Sequence, residues 1–201
     1  CHIYLSNYQK EGEEMINIIL ILLETLICYL SLLYLIKKYK TDGLYIYAII
    51  TIVASCILPL KNISILEINV PLGFATTTSL IIGGNILTQI KGKEELKKYI
   101  TIIILTSIIS ILIIYLSSTM QSSIYNYNSN ELFNEIFINN IIISISSIIS
   151  VIVSIIISNK IYYSLKKHQN KIVISNVLTI TIVELIENVI FILLGYLFEW
   201  D

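Results

Sequence analysis

Six long apolar runs constrain the fold of this 201-residue chain more than any other feature. They span, in rounded bounds, residues 15–36, 44–60, 70–90, 99–117, 138–158 and 173–198. A helix needs about 20 residues to cross the hydrocarbon core of a bilayer, and most of the runs reach or approach that length. The runs are continuously apolar rather than alternating, which argues against a transmembrane β-barrel. The sequence therefore predicts an all-α polytopic membrane protein, a bundle of six transmembrane helices that forms a single transmembrane domain over residues 1–201.

The composition excludes several classes of protein. Hydrophobic residues make up 56% of the chain and charged residues only 13%, which is unlike a soluble domain. The net charge is -1, so the excess of basic residues that a nucleic-acid partner requires is absent. Cys1, Cys28 and Cys56 form no CxxC pair and no cluster with a histidine, so we predict neither a metal site nor a disulfide framework. The chain contains no phosphate-binding loop and no catalytic motif, so we predict no cofactor and no enzymatic activity.

The lysines predict the orientation of the chain in the membrane. Eleven of the 13 basic residues follow the first, third and fifth runs: Lys37, Lys38, Lys40, Lys91, Lys93, Lys97, Lys98, Lys160, Lys166, Lys167 and Lys171. By the positive-inside rule these loops are cytoplasmic, and both termini are extracytoplasmic. Only Lys10 and Lys61 lie on the other side.

Two connections between runs are unusual. Pro59, Asn62, Pro71 and Gly73 interrupt the path from the second run to the third, which suggests that the third run enters as a discontinuous or re-entrant segment. In carriers such breaks often lie near the binding site. The polar stretch 117–140 is expected to be a partly ordered loop. The alternative is an amphipathic interfacial helix that buries Leu132, Phe133, Ile136 and Phe137.

Two triplets of polar residues lie inside the apolar runs. They are Asn85, Thr88 and Gln89 in the third run and Glu184, Glu187 and Asn188 in the sixth. Their spacing of i, i+3 and i+4 places each triplet on one helix face. A charge at the centre of a membrane helix costs roughly 2.5–3.5 kcal/mol, so such groups normally face a bundle interior or a wet cavity. We therefore predict that a solute contacts both faces.

A structural role is the alternative for each of these residues. Polar side chains in membrane helices often form hydrogen bonds between helices, worth about 0.6 kcal/mol each. This alternative is about as strong as a binding role for the triplet at Asn85, but weaker for Glu184 and Glu187, because a pair of acids is expensive to keep for packing alone. The lone acid Glu24 is either a protonated carboxyl bonded across helices or, less simply, a proton-coupling group.

Several short motifs carry a resemblance to a known family. They are Gly43-Leu44-Tyr45, Lys61, Gly73, Ile86-Leu87-Thr88, Gly92-Lys93, Lys97, Thr179-Ile180, Glu184-Leu185-Ile186-Glu187 and Ile190-Phe191. The chain resembles the queuosine-precursor transporter family, also called the VUT or vitamin uptake transporter family. Asn85 and Gln89 stand where the family motif D-I-L-T-E has its acids, and Cys56 stands where the family has asparagine. The chain is therefore similar to the family as a divergent member.

The resemblance implies an integral membrane transporter in the plasma membrane of a prokaryote, importing a nucleobase-like solute such as a 7-deazaguanine queuosine precursor. Glu184 or Glu187 would accept two parallel N–H bonds from the guanine-like edge. Asn85, Thr88, Gln89 and Asn188 would meet the remaining polar atoms, and Phe74 or Phe191 would stack on the ring. Lys61 either contributes to a substrate gate or extends to the interface.

Two other functions remain open. The chain could be the substrate-binding membrane subunit of a vitamin uptake system that has a separate ATPase module. It could also be a non-transporting membrane scaffold, which predicts that alanine is tolerated at Glu184 and Glu187. The expected partners are a small-molecule substrate and the lipid bilayer, and a homo-oligomer is left open.

Overall fold

The computed structural model describes the backbone of residues 2–65, 68–120, 131–134, 136–137, 141–168 and 172–196. Side chains are described for 14–65, 70–120, 131–134, 136–137, 141–165 and 174–195. Five helical segments are long and apolar enough to cross a membrane: Glu14–Tyr39, Thr41–Leu60, Lys93–Thr119, Ile141–Leu165 and Ile174–Gly195. The predicted fold class, an all-α polytopic membrane protein, is confirmed.

Six helices and one two-stranded hairpin make up the described elements. In chain order they are α1 (His2–Tyr39), α2 (Thr41–Ile57), a 3-10 turn (Leu58–Leu60), β1 (Asn62–Ile65), β2 (Ile68–Pro71), α3 (Phe74–Lys91), α4 (Lys93–Thr119), α5 (Ile141–His168) and α6 (Ile172–Tyr196). Residues 131–134 and 136–137 are also helical. Leu132, Phe133 and Ile136 are exposed there, and the rest of 121–140 lies outside the described residues.

The hairpin changes the predicted start of the third apolar run. Strands β1 and β2 pair antiparallel, with Asn62 opposite Pro71 and Ile65 opposite Ile68. The run was expected to be helical from residue 70, but α3 begins at Phe74. Gly73 has φ 111°, a left-handed conformation that glycine adopts without strain, and it ends the hairpin before the helix starts. The interruption was predicted from Pro71 and Gly73, whereas the strands were not.

Helix α3 occupies the centre of the bundle. It packs against α1, α2, α4 and α5, and contacts α6 less extensively. Its 18 residues span about 27 Å at ~1.5 Å per residue. Helix α3 is less apolar than the five candidate spans. A helix that is surrounded by other helices has little contact with lipid, so it can carry threonine, serine and asparagine. The total of six spans stays a prediction.

The core lies between α2, α3, α4 and α5. It is formed by fully buried side chains, among them Leu44, Ala48, Ile52, Leu80, Ile81, Leu87, Ile103, Val151 and Ile155. Tyr99 of α4 is also fully buried, and its hydroxyl donates to the carbonyl of Leu80 at 3.0 Å. Helices α1, α4 and α6 expose rows of large apolar side chains such as Leu22, Leu112 and Leu185. An apolar outer surface of this kind is suited to lipid.

Candidate functional site

A pocket opens where the hairpin meets helices α3, α5 and α6. Its empty volume, which includes open solvent at the mouth, is about 410 Å³. The hairpin and the turns on either side of it form one part of the lining. The helices contribute Phe74, Thr77, Ser147, Glu184, Glu187, Asn188 and Phe191. Four of the predicted site residues, Phe74, Glu184, Glu187 and Asn188, are therefore brought together.

Glu187 is the more deeply buried of the two acids that line the pocket. Its side chain is 7% exposed, and the hydroxyl of Thr77 on α3 lies beside its carboxyl group. Among the described residues, its Oε2 has no hydrogen-bond partner. A buried carboxyl oxygen without a partner is unfavourable. This oxygen therefore lacks the donor that a buried carboxyl group requires.

Glu184 lies one helical turn before Glu187 and is fixed by α3. The Thr78 hydroxyl donates to Glu184 Oε1 at 2.5 Å. The amide of Asn188 donates to the Glu184 backbone carbonyl at 2.9 Å, so Asn188 is held against its own helix. Glu184 Oε1 consequently has a protein partner, whereas Glu187 Oε2 has none among the described residues.

Two aromatic rings complete the lining. Phe74 is the first residue of α3, and Phe191 follows Glu187 by one turn on α6. Aromatic rings are the surfaces on which planar bases stack. An acid and two aromatic rings can recognise a flat solute that carries N–H donors.

The sequence interpretation overlooked three residues of this site: Thr77, Thr78 and Ser147. Thr77 and Thr78 follow Phe74 at i+3 and i+4 and therefore share its face. That spacing was a usable signal. Ser147 also contributes to packing, since its hydroxyl donates to the Ser55 carbonyl at 3.4 Å.

The second predicted triplet lies elsewhere on α3. Asn85 follows Thr77 by eight residues, about 12 Å along the helix axis. Its amide donates to the Ser158 hydroxyl of α5 at 2.8 Å, and the Asn159 amide donates to the Thr88 hydroxyl at 2.8 Å. Neither Asn85, Thr88 nor Gln89 lines the pocket. The structure thus separates the two triplets, and a contact of the α3 triplet with substrate stays a prediction.

Lys61 and Glu24 also lie outside the pocket lining. Lys61 is exposed at the base of the hairpin, where its N–H donates to the Leu58 carbonyl at 3.1 Å. Its own carbonyl accepts from the N–H of Leu72, a residue of the pocket lining, at 2.9 Å. A gating role for Lys61 stays a prediction. Within the described part of the chain, no three His, Cys, Asp or Glu side chains group as a metal site.

Comparison with protein families gives the identity of the chain at the family level. Residues 71–200, more than half of the chain, match the family model described as "Putative vitamin uptake transporter". The chain belongs to this family. The match begins at the last residue of β2 and includes α3, α5 and α6, the three helices that line the pocket. The suspected vitamin uptake transporter membership is confirmed, and the chain is a multi-pass membrane protein of a transporter family. Searches of curated proteins and of solved structures find no significant match.

Proposed function

We propose that this vitamin uptake transporter family member imports a flat, nucleobase-like solute, a 7-deazaguanine precursor of queuosine, through the pocket between α3, α5 and α6. One observation carries the proposal: a buried carboxyl oxygen of Glu187 has no partner among the described residues and lies in a pocket with two aromatic rings. A solute that brings its own N–H donors and a planar ring satisfies both features.

The chemistry of the solute matches the lining group by group. A guanine-like edge presents adjacent N–H donors, and a single carboxylate can accept two of them in parallel. Glu187 is the acceptor in this arrangement. Stacking of a base on an aromatic side chain contributes about 1–3 kcal/mol, which Phe74 or Phe191 would supply. The Asn188 amide offers a donor and an acceptor to the remaining polar atoms of the ring.

Glu184 has a positioning role in this proposal. Its Oε1 accepts from Thr78 of α3, so the contact joins α6 to α3 at the wall of the pocket. This contact holds the face of α6 that carries Glu187 toward the solute. In this proposal Glu187 binds the solute, and Glu184 orients helix α6.

The orientation of the chain supports import. The pocket lies at the hairpin end of α3, and the lysine-rich α3–α4 turn lies at the opposite end of that helix. The positive-inside rule assigns the lysine end to the cytoplasm of a prokaryotic cell. The pocket then faces the outside, with both termini on the same side, and is placed to take up a solute from the medium.

A second candidate function uses the same pocket but a different source of energy. The family description names vitamin uptake, which favours a vitamin as the solute. In this candidate a separate ATPase module would supply the energy. This candidate predicts uptake that depends on ATP hydrolysis and co-purification of the module. The proposed carrier requires neither.

The test is rescue of queuosine-modified transfer RNA in bacteria that lack both precursor synthesis and their own importer. With the precursor supplied at low concentration, the wild-type protein should restore the modification and Glu187→Gln should not. Glu94→Gln is the control, because it makes the same change at an exposed acid of α4 that does not line the pocket. Rescue by Glu187→Gln, or no rescue by wild-type protein that is present in the membrane, would overturn the proposal.

A further inference from the structure

A second polar layer joins α3 to α5 on the side of the pocket that leads to the lysine-rich end. It consists of the hydrogen bonds from Asn85 to Ser158 and from Asn159 to Thr88, both of 2.8 Å and buried. The hydroxyl of Tyr163 also donates to the Thr88 backbone carbonyl at 3.3 Å. These bonds close the space between the two helices at this level.

The layer and the pocket lie on opposite sides of one close contact. Along α3 the order is Thr77 in the pocket, then Gly84, then the layer. Along α5 the order is Ser147 in the pocket, then Ile155, then the layer. A Cβ atom built on Gly84 would lie 3.2 Å from Ile155 Cγ2, so glycine is what lets α5 approach α3 this closely. The contact is a suitable pivot.

Helices α2, α3 and α4 are tied into one unit by side-chain contacts. The Tyr47 hydroxyl of α2 donates to Ser79 of α3 at 2.7 Å, and the Tyr99 hydroxyl of α4 donates to the α3 backbone. Tyr45 of α2 donates to Glu95 of α4.

Helices α5 and α6 pack along each other more extensively than any other pair, while α6 contacts α3 only slightly. The α5–α6 pair forms a second unit that meets the rest mainly through α5, which packs on α2, α3 and α4. At the pocket end, Ser144 and Ser147 of α5 donate to α2 carbonyls at 2.7 and 3.4 Å, so the two units stay joined there.

Two buried hydroxyls on the α5–α6 pair add to its polar character. Ser154 on α5 and Ser175 on α6 are both fully buried, and their Oγ atoms have no partner among the described residues. Ser154 is spaced seven residues after Ser147 and four before Ser158, so it shares their helix face. Unpaired polar groups are unfavourable in this closed arrangement and would be satisfied by water in an open one.

We propose that Asn85, Thr88, Ser158 and Asn159 form the inner gate of the carrier. The α5–α6 pair rocks against α1–α4 about the Gly84–Ile155 contact, the hydrogen bonds of the gate break, and a polar path opens from the pocket to the lysine-rich side. Interhelical hydrogen bonds of this kind are individually weak in membranes, so the gate can open reversibly. This inference rests on the proposed function, because it describes how a solute would leave the pocket.

The test uses a cysteine reporter placed between the gate and the pocket. Ser154→Cys is introduced into protein whose three native cysteines are replaced by alanine. Inside-out membrane vesicles are treated with a membrane-impermeant thiol reagent that reaches only the lysine-rich side. Ser107→Cys is the matched control, because Ser107 is equally buried but lies on α4, within the other unit.

The gate predicts that Ser154→Cys reacts from this side and that Asn85→Ala raises the rate severalfold by removing the bond to Ser158. Ser158→Ala removes the same bond from the other helix and serves where Asn85→Ala fails to fold. Ser107→Cys should stay unreactive in all backgrounds. If Ser154→Cys does not react, or if both reporters react alike, the proposed gate is contradicted. The labelling does not require the substrate. If Ser154→Cys reacts as expected but the precursor is not taken up, the result contradicts the proposed function and leaves the gate intact.

Discussion

Two glutamates one turn apart have different surroundings at the residue scale. Glu184 accepts a hydrogen bond from Thr78 of α3, whereas Glu187 has an oxygen without a partner among the described residues. Both acids have a threonine of α3 beside them, but Thr78 donates to Glu184, whereas Thr77 donates to the Phe74 carbonyl at 3.1 Å. Spacing alone would have treated the two acids as equivalent.

The Thr78→Val substitution tests the positioning role of Glu184. It keeps the shape of the side chain and removes the hydroxyl, so solute affinity should fall by about 1 kcal/mol, roughly a fivefold rise in Kd. Thr181→Val is the control, because the Thr181 hydroxyl is exposed and donates to the Val177 carbonyl of its own helix. Titration of both purified variants with the precursor measures the effect. Equal affinities for the two variants would show that Glu184 needs no positioning.

The spacing of the polar residues predicted which of them share a helix face, but it could not predict what each face contacts. The i, i+3, i+4 pattern correctly placed Glu184, Glu187 and Asn188 on one face, which the structure turns toward the pocket. The same pattern at Asn85 faces Ser158 and Asn159 of α5. A helix pattern shows which residues share a face, but the neighbouring helix that covers this face depends on tertiary packing.

A glycine determines how closely two helices approach at the element scale. Helices α1 and α2 are joined at Lys40, and the chain passes so near α1 at Gly43 that a Cβ atom there would lie 2.2 Å from the Leu35 carbonyl oxygen. Gly195 in α6 has no atom within 4 Å of such a Cβ. The two glycines therefore form a matched pair.

Gly43→Ala should destabilise the protein, because the methyl group would meet backbone rather than a movable side chain. The expected loss is about 1–3 kcal/mol, as for other overpacked sites. Gly195→Ala should be neutral or slightly stabilising, by up to about 1 kcal/mol, since alanine favours helix. Thermal unfolding of both variants in detergent measures the difference. A Gly43→Ala variant as stable as Gly195→Ala would contradict the close approach of α1 and α2.

The elements themselves were predictable to different degrees. Long apolar runs predicted the helices because a bilayer leaves the backbone no other way to satisfy its hydrogen bonds. The hairpin was missed because strands of four residues, Asn62–Ile65 and Ile68–Pro71, are too short to show an alternating pattern. Helix α3 was predicted from its run, but its central position followed only from packing.

The whole molecule has two distinct ends. The hairpin and the mouth of the pocket lie at one end of α3, and the lysines of the α3–α4 turn lie at the other. With the lysines in the cytoplasm, Asn62 in the hairpin should be outside and Glu94 at the start of α4 should be inside. Both side chains are exposed, so both are suitable reporters.

In protein without its native cysteines, Asn62→Cys should react with an impermeant thiol reagent on intact cells. Glu94→Cys should react only after the membrane is permeabilised. The positive-inside rule is the physical reason for this expectation. The reverse pattern of labelling would place the pocket on the cytoplasmic side and contradict uptake from the medium.

The most direct test of the binding site is a titration of the purified protein with the 7-deazaguanine precursor, on wild type and Glu187→Gln. The wild-type protein should bind, and the variant should lose about 2 kcal/mol, roughly a thirtyfold rise in Kd, because a hydrogen bond to a charged acceptor is lost. Equal affinity for the two proteins, or no binding by folded wild-type protein, would contradict the assignment of this pocket to a nucleobase-like solute.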